Sequence, residues 1–225
     1  DTNSTLAASL AAVKLDIPVF HVEAGLRSFR RAQPEEINRR VADHLSALLF
    51  CPTPLAVSHL AKEGISAGVM LVGDVMFDAA LAAAERPEGS EVVQRLGLTP
   101  GEYEVATVHR AENTDDDAQL AKVIDFLKAR AGTVVLPLHP RTKAALQRAG
   151  LALDGITVTD PLGYLEMTHL VKASAGVLTD SGGLQKEAYF HRVPCITLRD
   201  ETEWTETVDA GWNRLWLSPE TKTPR

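Results

Sequence analysis

Short apolar runs alternate with amphipathic stretches along nearly the whole chain, and this alternation predicts strands and helices in turn. Residues 176–178 are a short apolar run typical of a buried strand, whereas Leu120, Val123, Ile124 and Leu127 recur at helical spacing. The predicted helices cover 3–15, 34–45, 53–63, 75–85, a stretch around 120–127, 141–149, 163–173, 182–191 and 206–210. The predicted strands cover 18–22, 48–51, 69–72, 104–108, 133–138, 156–159, 176–178, 195–198 and 212–217, and polar loops are predicted at 109–113 and 199–203.

Strands that alternate with helices predict an α/β fold in which parallel sheets are flanked by helices. The pattern runs through two successive series that are joined near residues 73–76. We therefore expect two domains, with residues 1–74 in an N-terminal Rossmann-like domain and residues 75–225 in a C-terminal one.

The most informative stretch is 176–192, where a buried strand leads into a helix that opens with Ser181, Gly182 and Gly183. The unpaired N–H groups and the positive end of such a helix suit a phosphate. Glu187 lies further along the same helix, where its carboxylate is suited to accept hydrogen bonds from ribose hydroxyls. An ordinary strand–turn–helix with small residues for close packing remains the alternative.

Polar residues lie just past the carboxyl ends of four predicted strands, namely Glu23, His109, His139 and Ser181. Ligands of open parallel sheets bind beyond the carboxyl ends of the strands, so these residues are candidates for one binding site. Each also has a plainer interpretation: a surface ion pair at Glu23, a loop network at His109 and a turn at His139. Two neighbouring acids, Glu35 and Glu36, fit the first turn of a helix by the helix dipole alone.

Composition excludes several classes of protein. The net charge of −7 argues against a nucleic-acid binder, and no apolar run is long enough to predict a membrane span. No secretory signal is recognisable, and Cys51 and Cys195 lie in apolar runs, so we expect a reduced, cytoplasmic protein. The seven histidines lack metal-ligand spacing, so we expect no metal site, and the chain has neither a Walker loop nor a serine elbow.

Several motifs together resemble the non-hydrolysing UDP-N-acetylglucosamine 2-epimerase family. They are, in chain order, Asp-Thr-Asn-Ser-Thr at 1–5, His-Val-Glu-Ala-Gly-Leu-Arg-Ser at 21–28, Pro-Glu-Glu-Ile-Asn-Arg at 34–39, His-Arg-Ala-Glu-Asn at 109–113, Pro-Leu-Gly-Tyr at 161–164, the run 178–188 and the loop 199–203. The motifs span almost the whole chain in the family's order. The family's N-terminal strand, with an Arg and a Lys for the diphosphate, and its returning C-terminal helix have no counterpart, so we expect an incomplete N-terminal domain.

The resemblance implies a glycosyltransferase-B-like fold and the interconversion of UDP-N-acetylglucosamine and UDP-N-acetylmannosamine. UDP is removed by anti elimination to give 2-acetamidoglucal and is then added back on the other face of C2, without a cofactor. The implied catalytic residues are Asp1, Glu23, Glu35 and His109, and the implied UDP-binding residues are His109, Ser181, Gly182, Gly183, Glu187 and Arg199. The resemblance further implies a homodimer that serves cell-surface polysaccharide biosynthesis.

Three alternatives remain open. A hydrolysing relative releases free N-acetylmannosamine and UDP, a glycosyltransferase of similar fold transfers the sugar, and a catalytically inactive module binds the UDP-sugar only. The acids of the first half and the His-Arg-Ala-Glu-Asn motif favour the epimerase over the glycosyltransferase.

Overall fold

A computed structural model describes residues 2–29 and 33–224, in which helices and strands alternate as the sequence predicts. The helices are α1 (Asn3–Lys14), α2 (Pro34–Leu45), α3 (Pro54–Lys62), α4 (Val75–Glu85), α5 (Val92–Arg95), α6 (Ala111–Thr114), α7 (Asp117–Lys128), α8 (Pro140–Ala149), α9 (Tyr164–Lys172), α10 (Gly182–Phe190) and α11 (Thr205–Asp209). The strands are β1 (Phe20–Val22), β2 (Leu48–Cys51), β3 (Val69–Leu71), β4 (Tyr103–Thr107), β5 (Thr133–Pro137), β6 (Ile156–Thr159), β7 (Gly176–Thr179), β8 (Cys195–Thr197) and β9 (Asn213–Leu215).

The chain divides into two compact units, residues 1–78 and residues 79–225. The division falls inside α4, whose first residues follow the last strand of the first unit. The predicted domain bounds of 1–74 and 75–225 stay a prediction.

The first unit contains a three-stranded parallel sheet in the order β1-β2-β3. Leu49 and Cys51 of β2 point to one face and pack against Ala56 and Leu60 of α3 in a small apolar core. Helix α3 begins at Pro54, and Thr53 is its N-cap residue. The hydroxyl of Thr53 accepts a hydrogen bond from the N–H of Ala56. This start combines a capping threonine with a proline at the first helical position, as the sequence predicts.

The second unit contains a six-stranded parallel sheet in the order β6-β5-β4-β7-β8-β9. Counted within the unit, this order is 3-2-1-4-5-6, the doubly wound order of dinucleotide-binding sheets. From β4 the chain adds β5 and β6 on one side and then β7, β8 and β9 on the other. The strand order therefore reverses between β4 and β7, which are hydrogen-bonded parallel neighbours. Such a reversal leaves a crevice beyond the carboxyl ends of the two strands, and ligands bind there.

Both faces of this sheet are covered, which explains why its strands are continuous apolar runs in the sequence. On one face Val105, Val135 and Val177 belong to one apolar cluster. On the other face Leu136 and Leu178 belong to a second cluster that includes α7 and α8. The α/β class with parallel sheets and flanking helices is thereby confirmed.

The structure differs from the sequence prediction mainly in very short elements. The prediction of a loop at 109–113 is wrong for its second part, because Ala111–Thr114 form α6. Helix α5 (Val92–Arg95) lies in a segment for which no element was predicted. Four-residue helices are too short to show helical periodicity, so tertiary contacts decide them.

The two cysteines are free and buried, as predicted. Burial raises the pKa of the Cys51 thiol to about 11 and also raises the pKa of Cys195, so both are packed as small apolar residues. Among residues 2–29 and 33–224, no helix combines the length and apolar character needed to cross a membrane.

We expect Leu136→Ala to destabilise the second unit by about 2–5 kcal/mol, because Leu136 is 1% exposed and its removal leaves a cavity. Leu217→Ala is the matched control, since Leu217 is 76% exposed and should change stability by no more than about 0.5 kcal/mol. Urea unfolding followed by tryptophan fluorescence measures the difference, and the three tryptophans all belong to this unit. Equal midpoints for the two variants contradict the core described here.

Candidate functional site

A cavity of about 330 Å³ lies in the second unit beyond the carboxyl ends of β4, β5 and β7. It therefore occupies the position at which the sheet order reverses, and its volume is in the range of small-molecule sites. The lining residues are Thr107, Val108, His109, Pro137, His139, Pro161, Leu162, Tyr164, Met167, Ser181, Gly183, Leu184 and Glu187. Three of the four candidates from the strand ends, His109, His139 and Ser181, are brought together here, and Glu23 belongs to the first unit.

The start of α10 forms one wall of the cavity. Ser181 is the N-cap residue, and its hydroxyl accepts a hydrogen bond from the N–H of Leu184 at 3.3 Å. The N–H groups of Gly182 and Gly183 belong to the first turn of the helix, where a helix provides no carbonyl partner. These donors and the positive end of the helix dipole make this wall suitable for an anion.

Gly182 is also required by its surroundings. A Cβ atom at Gly182 would lie 2.6 Å from the Glu203 carboxylate and 3.3 Å from the indole nitrogen of Trp204. The absence of a side chain therefore lets the loop after β8 pack directly on the start of α10. Close packing of small residues, the alternative that the sequence left open for this turn, is thus found at Gly182.

His109 is held at the cavity by Asp180, a fully buried residue directly after β7. The Asp180 carboxylate accepts hydrogen bonds from the backbone N–H of His109 at 3.0–3.1 Å and from that of Arg110 at 2.9 Å. It also accepts one from the Asn113 side chain and lies 3.1 Å from Nδ1 of the His109 ring. Asp180 thus joins the end of β7 to the loop after β4 on both sides of the sheet reversal.

Glu187 lines the same cavity from the next turn of α10. Burial raises the pKa of this carboxyl to about 7. Tyr164, another lining residue, has a raised pKa because it is partly buried and lies near Glu187. A desolvated acid in a cavity is a typical feature of a binding or catalytic site.

The remaining wall is apolar. Pro161 and Leu162 come from the segment that leads into α9, Met167 belongs to α9 itself, and Val108 and Leu184 complete this side. The cavity therefore combines an anion-binding start of a helix, a buried acid and an apolar surface, which are the features that suit a nucleotide.

Arg199 is not one of the described residues that line this cavity. Its guanidinium is buried and lies 3.1 Å from Glu203, 3.5 Å from Glu112 and 3.7 Å from Glu201. These contacts join the loop after β8 to α6, so a direct contact between Arg199 and UDP stays a prediction.

In the first unit, Glu23 follows β1 and has a left-handed backbone conformation, with a φ of +67°. This conformation is unfavourable for a residue with a side chain and persists where the surroundings impose it. Gly25 has a φ of +83°, and a Cβ there would lie 2.5 Å from the carbonyl oxygen of Ala56. Side-chain contacts on both sides of Glu23 hold this turn in place.

Asp43 of α2 supplies those contacts. Its carboxylate lies 2.6 Å from Nδ1 of His21, accepts a hydrogen bond from Gly25 N–H at 3.2 Å and another from Arg27 at 2.7 Å. Arg27 is also paired with Glu63 through two hydrogen bonds of 2.8–2.9 Å, which lower the pKa of Glu63. The turn that carries Glu23 is therefore fixed by a buried network of charges.

The two adjacent acids of α2 have different surroundings. Glu36 is 1% exposed and accepts hydrogen bonds from the N–H and the hydroxyl of Ser28, so it joins Ser28 to the first turn of α2. Glu35 is half-buried in the first turn. Asp1, the remaining predicted catalytic acid, lies outside the described residues.

Within the described part of the chain, no group of three or more histidine, cysteine, aspartate or glutamate side chains is arranged to hold a metal ion. The sequence alone predicted no positioning role for Asp180 at the cavity, nor for Asp43 and Glu36 in the first unit. Asp180 carried a usable signal, because it follows a buried strand directly and precedes the glycine turn.

Comparison with known proteins identifies the family. The family model described as UDP-N-acetylglucosamine 2-epimerase matches residues 1–223. A relative from Pseudomonas aeruginosa, named UDP-2,3-diacetamido-2,3-dideoxy-D-glucuronate 2-epimerase, is 50% identical over 222 residues, which are 96% of this chain and 61% of the relative.

Two solved structures have a similar fold. The UDP-GlcNAc 2-epimerase of Methanocaldococcus jannaschii, in complex with UDP-GlcNAc and UDP, superposes with a TM-score of 0.85 at 42% identity, covering 96% of this chain and 62% of that one. The enzyme from Neisseria meningitidis bound to UDP-GlcNAc gives a TM-score of 0.85 at 32% identity, with 96% and 62% covered. These matches confirm the glycosyltransferase-B-like class of fold, and the chain spans about three fifths of the length of these relatives. Because the family model extends over residues 1–223, this chain belongs to the UDP-N-acetylglucosamine 2-epimerase family.

Proposed function

We propose that the protein interconverts UDP-N-acetylglucosamine and UDP-N-acetylmannosamine by epimerisation at C2. The observation that carries this proposal is the cavity at the sheet reversal of a chain of this family, where the start of α10, His109 and Glu187 line one space. The solved relatives hold UDP-GlcNAc or UDP, which supports the same class of ligand here.

The cavity suggests how UDP is bound. The diphosphate lies at the start of α10, where helix N–H groups and the dipole stabilise negative charge. Ser181, Gly183 and His109 line the cavity there, whereas Gly182 is buried behind them and a contact of its N–H with the diphosphate stays a prediction. Glu187 accepts hydrogen bonds from the ribose hydroxyls one turn further along α10. The apolar wall, which includes Leu162 and Met167, covers the base.

The reaction needs a base, an acid and a stabilised leaving group. A base removes the proton from C2 as the C1–oxygen bond breaks, which gives 2-acetamidoglucal and UDP; an acid returns a proton to the other face as UDP adds back to C1. We assign the proton transfers to Asp1, Glu23 and Glu35 and the stabilisation of the departing diphosphate to His109. The imposed backbone of Glu23 supports its assignment, because strained conformations cluster at functional positions.

A second substrate has specific support. The relative from Pseudomonas aeruginosa is 50% identical and is named for a diacetamido glucuronate sugar attached to UDP. Both sugars carry UDP and are epimerised at C2, so the same binding and proton transfers serve either one.

The cellular setting is part of the proposal. Two buried, free cysteines support a reduced, cytoplasmic location. A homodimer, which the sequence resemblance implies, is also part of the proposal. The product, an activated amino sugar, is suited to cell-surface polysaccharide biosynthesis.

Incubation with each UDP-sugar in deuterium oxide, followed by NMR, tests the reaction. We expect deuterium at C2 with the UDP-sugar retained, whereas free N-acetylmannosamine indicates hydrolysis and binding without exchange indicates an inactive module.

Glu23→Gln should lower the rate of exchange by at least about 100-fold and leave UDP affinity unchanged. Glu102→Gln, at an exposed position of the second unit, is the matched control and should exchange at the wild-type rate.

Ser181→Ala should weaken UDP binding by about 1–3 kcal/mol, because the hydroxyl and the ordered first turn of α10 both contact the diphosphate. Asp116→Ala controls for the loss of a helix cap alone, since the Asp116 carboxylate caps α7 by accepting hydrogen bonds from the N–H groups of Ala118 and Gln119. Isothermal titration calorimetry with UDP measures both variants. Unchanged affinity in Ser181→Ala excludes this wall as the diphosphate site.

UDP affinity should rise with pH through the pKa of Glu187, which is about 7 because the carboxyl is buried. The ionised form accepts hydrogen bonds from both ribose hydroxyls, and its fraction rises about tenfold between pH 6 and pH 8. The ratio of affinities of wild type and Glu187→Gln should therefore rise up to about tenfold over this range. The ratio cancels the titration of UDP itself, and a constant ratio contradicts the assignment of Glu187.

A further inference from the structure

Asp180 contacts the candidate diphosphate site only through other residues. Its carboxylate is fully buried and accepts hydrogen bonds from two successive backbone N–H groups, those of His109 and Arg110. One of its oxygens, Oδ1, lies 3.1 Å from Nδ1 of the His109 ring, and the other accepts a hydrogen bond from Asn113.

The charge of Asp180 determines which ring nitrogen of His109 carries a proton. Burial raises the pKa of Asp180, but the hydrogen bonds from His109, Arg110 and Asn113 outweigh this and hold it below the usual range. An ionised carboxylate only accepts hydrogen bonds, and its Oδ1 lies 3.1 Å from Nδ1 of His109, so it favours a proton on that nitrogen. His109 lines the cavity, so the other nitrogen, Nε2, is left to interact with a ligand there.

A neighbouring histidine has the opposite arrangement. The ring of His139 lies 5.6 Å from that of His109, centroid to centroid, and lines the same cavity. Its Nδ1 accepts a hydrogen bond from the N–H of Arg141 at the start of α8, so in the neutral ring the proton is on Nε2. The contacts of the two rings therefore favour different tautomers.

We propose that Asp180 is the positioning residue of His109: it fixes the ring with the proton on Nδ1, so that Nε2 alone exchanges a proton or hydrogen bond with the diphosphate. As an imidazolium, the ring offers Nε2–H to the leaving oxygen, and after loss of that proton it offers a lone pair to the same position. Carboxylates fix the tautomer and the orientation of a histidine in the same way in serine proteases and in metal sites. The role at the diphosphate rests on the proposed function, whereas the tautomer does not.

The tautomer is measured on the unmodified protein. Nitrogen-15 NMR of histidine-labelled protein at about pH 9, where an ordinary imidazole is neutral, reports the proton on each ring nitrogen. His109→Gln and His139→Gln spectra assign the two rings. We expect the proton of His109 on Nδ1 and that of His139 on Nε2, and a His109 signal with the proton on Nε2 overturns the proposal.

A double-mutant cycle tests whether Asp180 acts through His109. Asp180→Asn keeps the size of the side chain but removes the charge, and we expect it to lower kcat/KM by at least about tenfold in wild type. In the His109→Gln background the same change should have an effect of less than about twofold, because the group that it positions is gone. A merely structural role gives equal losses in both backgrounds, and that result overturns the proposal.

Asp160→Asn is the matched control for the cycle. Asp160 follows β6 of the same sheet but is exposed, so this variant should retain wild-type kcat/KM within about twofold. If Asp180→Asn does not fold, the wild-type NMR result decides the proposal. If no UDP-sugar is turned over, the proposed function fails separately, and the cycle is measured on the dissociation constant of UDP.

Discussion

The second unit depends on one buried carboxylate at the reversal of its sheet. Strands β4 and β7 are neighbours, but their loops diverge to opposite sides of the sheet and open the crevice. Asp180 spans this point by accepting hydrogen bonds from His109 and Arg110 across it. Burial of an ionised carboxylate is costly unless several donors surround it, so the same contacts that stabilise the charge also fix the wall of the cavity.

In the first unit, too, a buried aspartate fixes the loop that follows a strand. Asp43 reaches from α2 to His21, Gly25 and Arg27, on both sides of Glu23. A left-handed glutamate in a turn loses backbone freedom and stability, and the network around Asp43 offsets that cost. Both units thus present a candidate catalytic side chain on a strand-end loop that an internal aspartate holds rigid, which favours precise positioning over flexibility.

Glu187 shows the conflict between stability and binding within one cavity. Its pKa is raised to about 7 by burial, so the unliganded protein loses stability as pH rises from the ordinary carboxyl range towards that value, because the unfolded chain releases its proton first. In the proposed complex with UDP, the ribose hydroxyls donate hydrogen bonds to the ionised carboxylate. Under that proposal the same residue lowers the stability of the folded chain and strengthens binding, a conflict that is common at functional sites.

The sequence by itself determined the class of fold, nearly every long element and the residues at the carboxyl ends of the strands, because periodicity, caps and glycine turns are local signals. Ser181, Gly183, His109 and Glu187 were predicted as site residues, and they line one cavity. Only the tertiary structure decided the strand order, the short helix α6 and the roles of Asp43 and Asp180, whose partners are far away in the sequence. The physical reason is that a buried carboxylate is defined by the donors that surround it, and chain topology, not local pattern, brings those donors together.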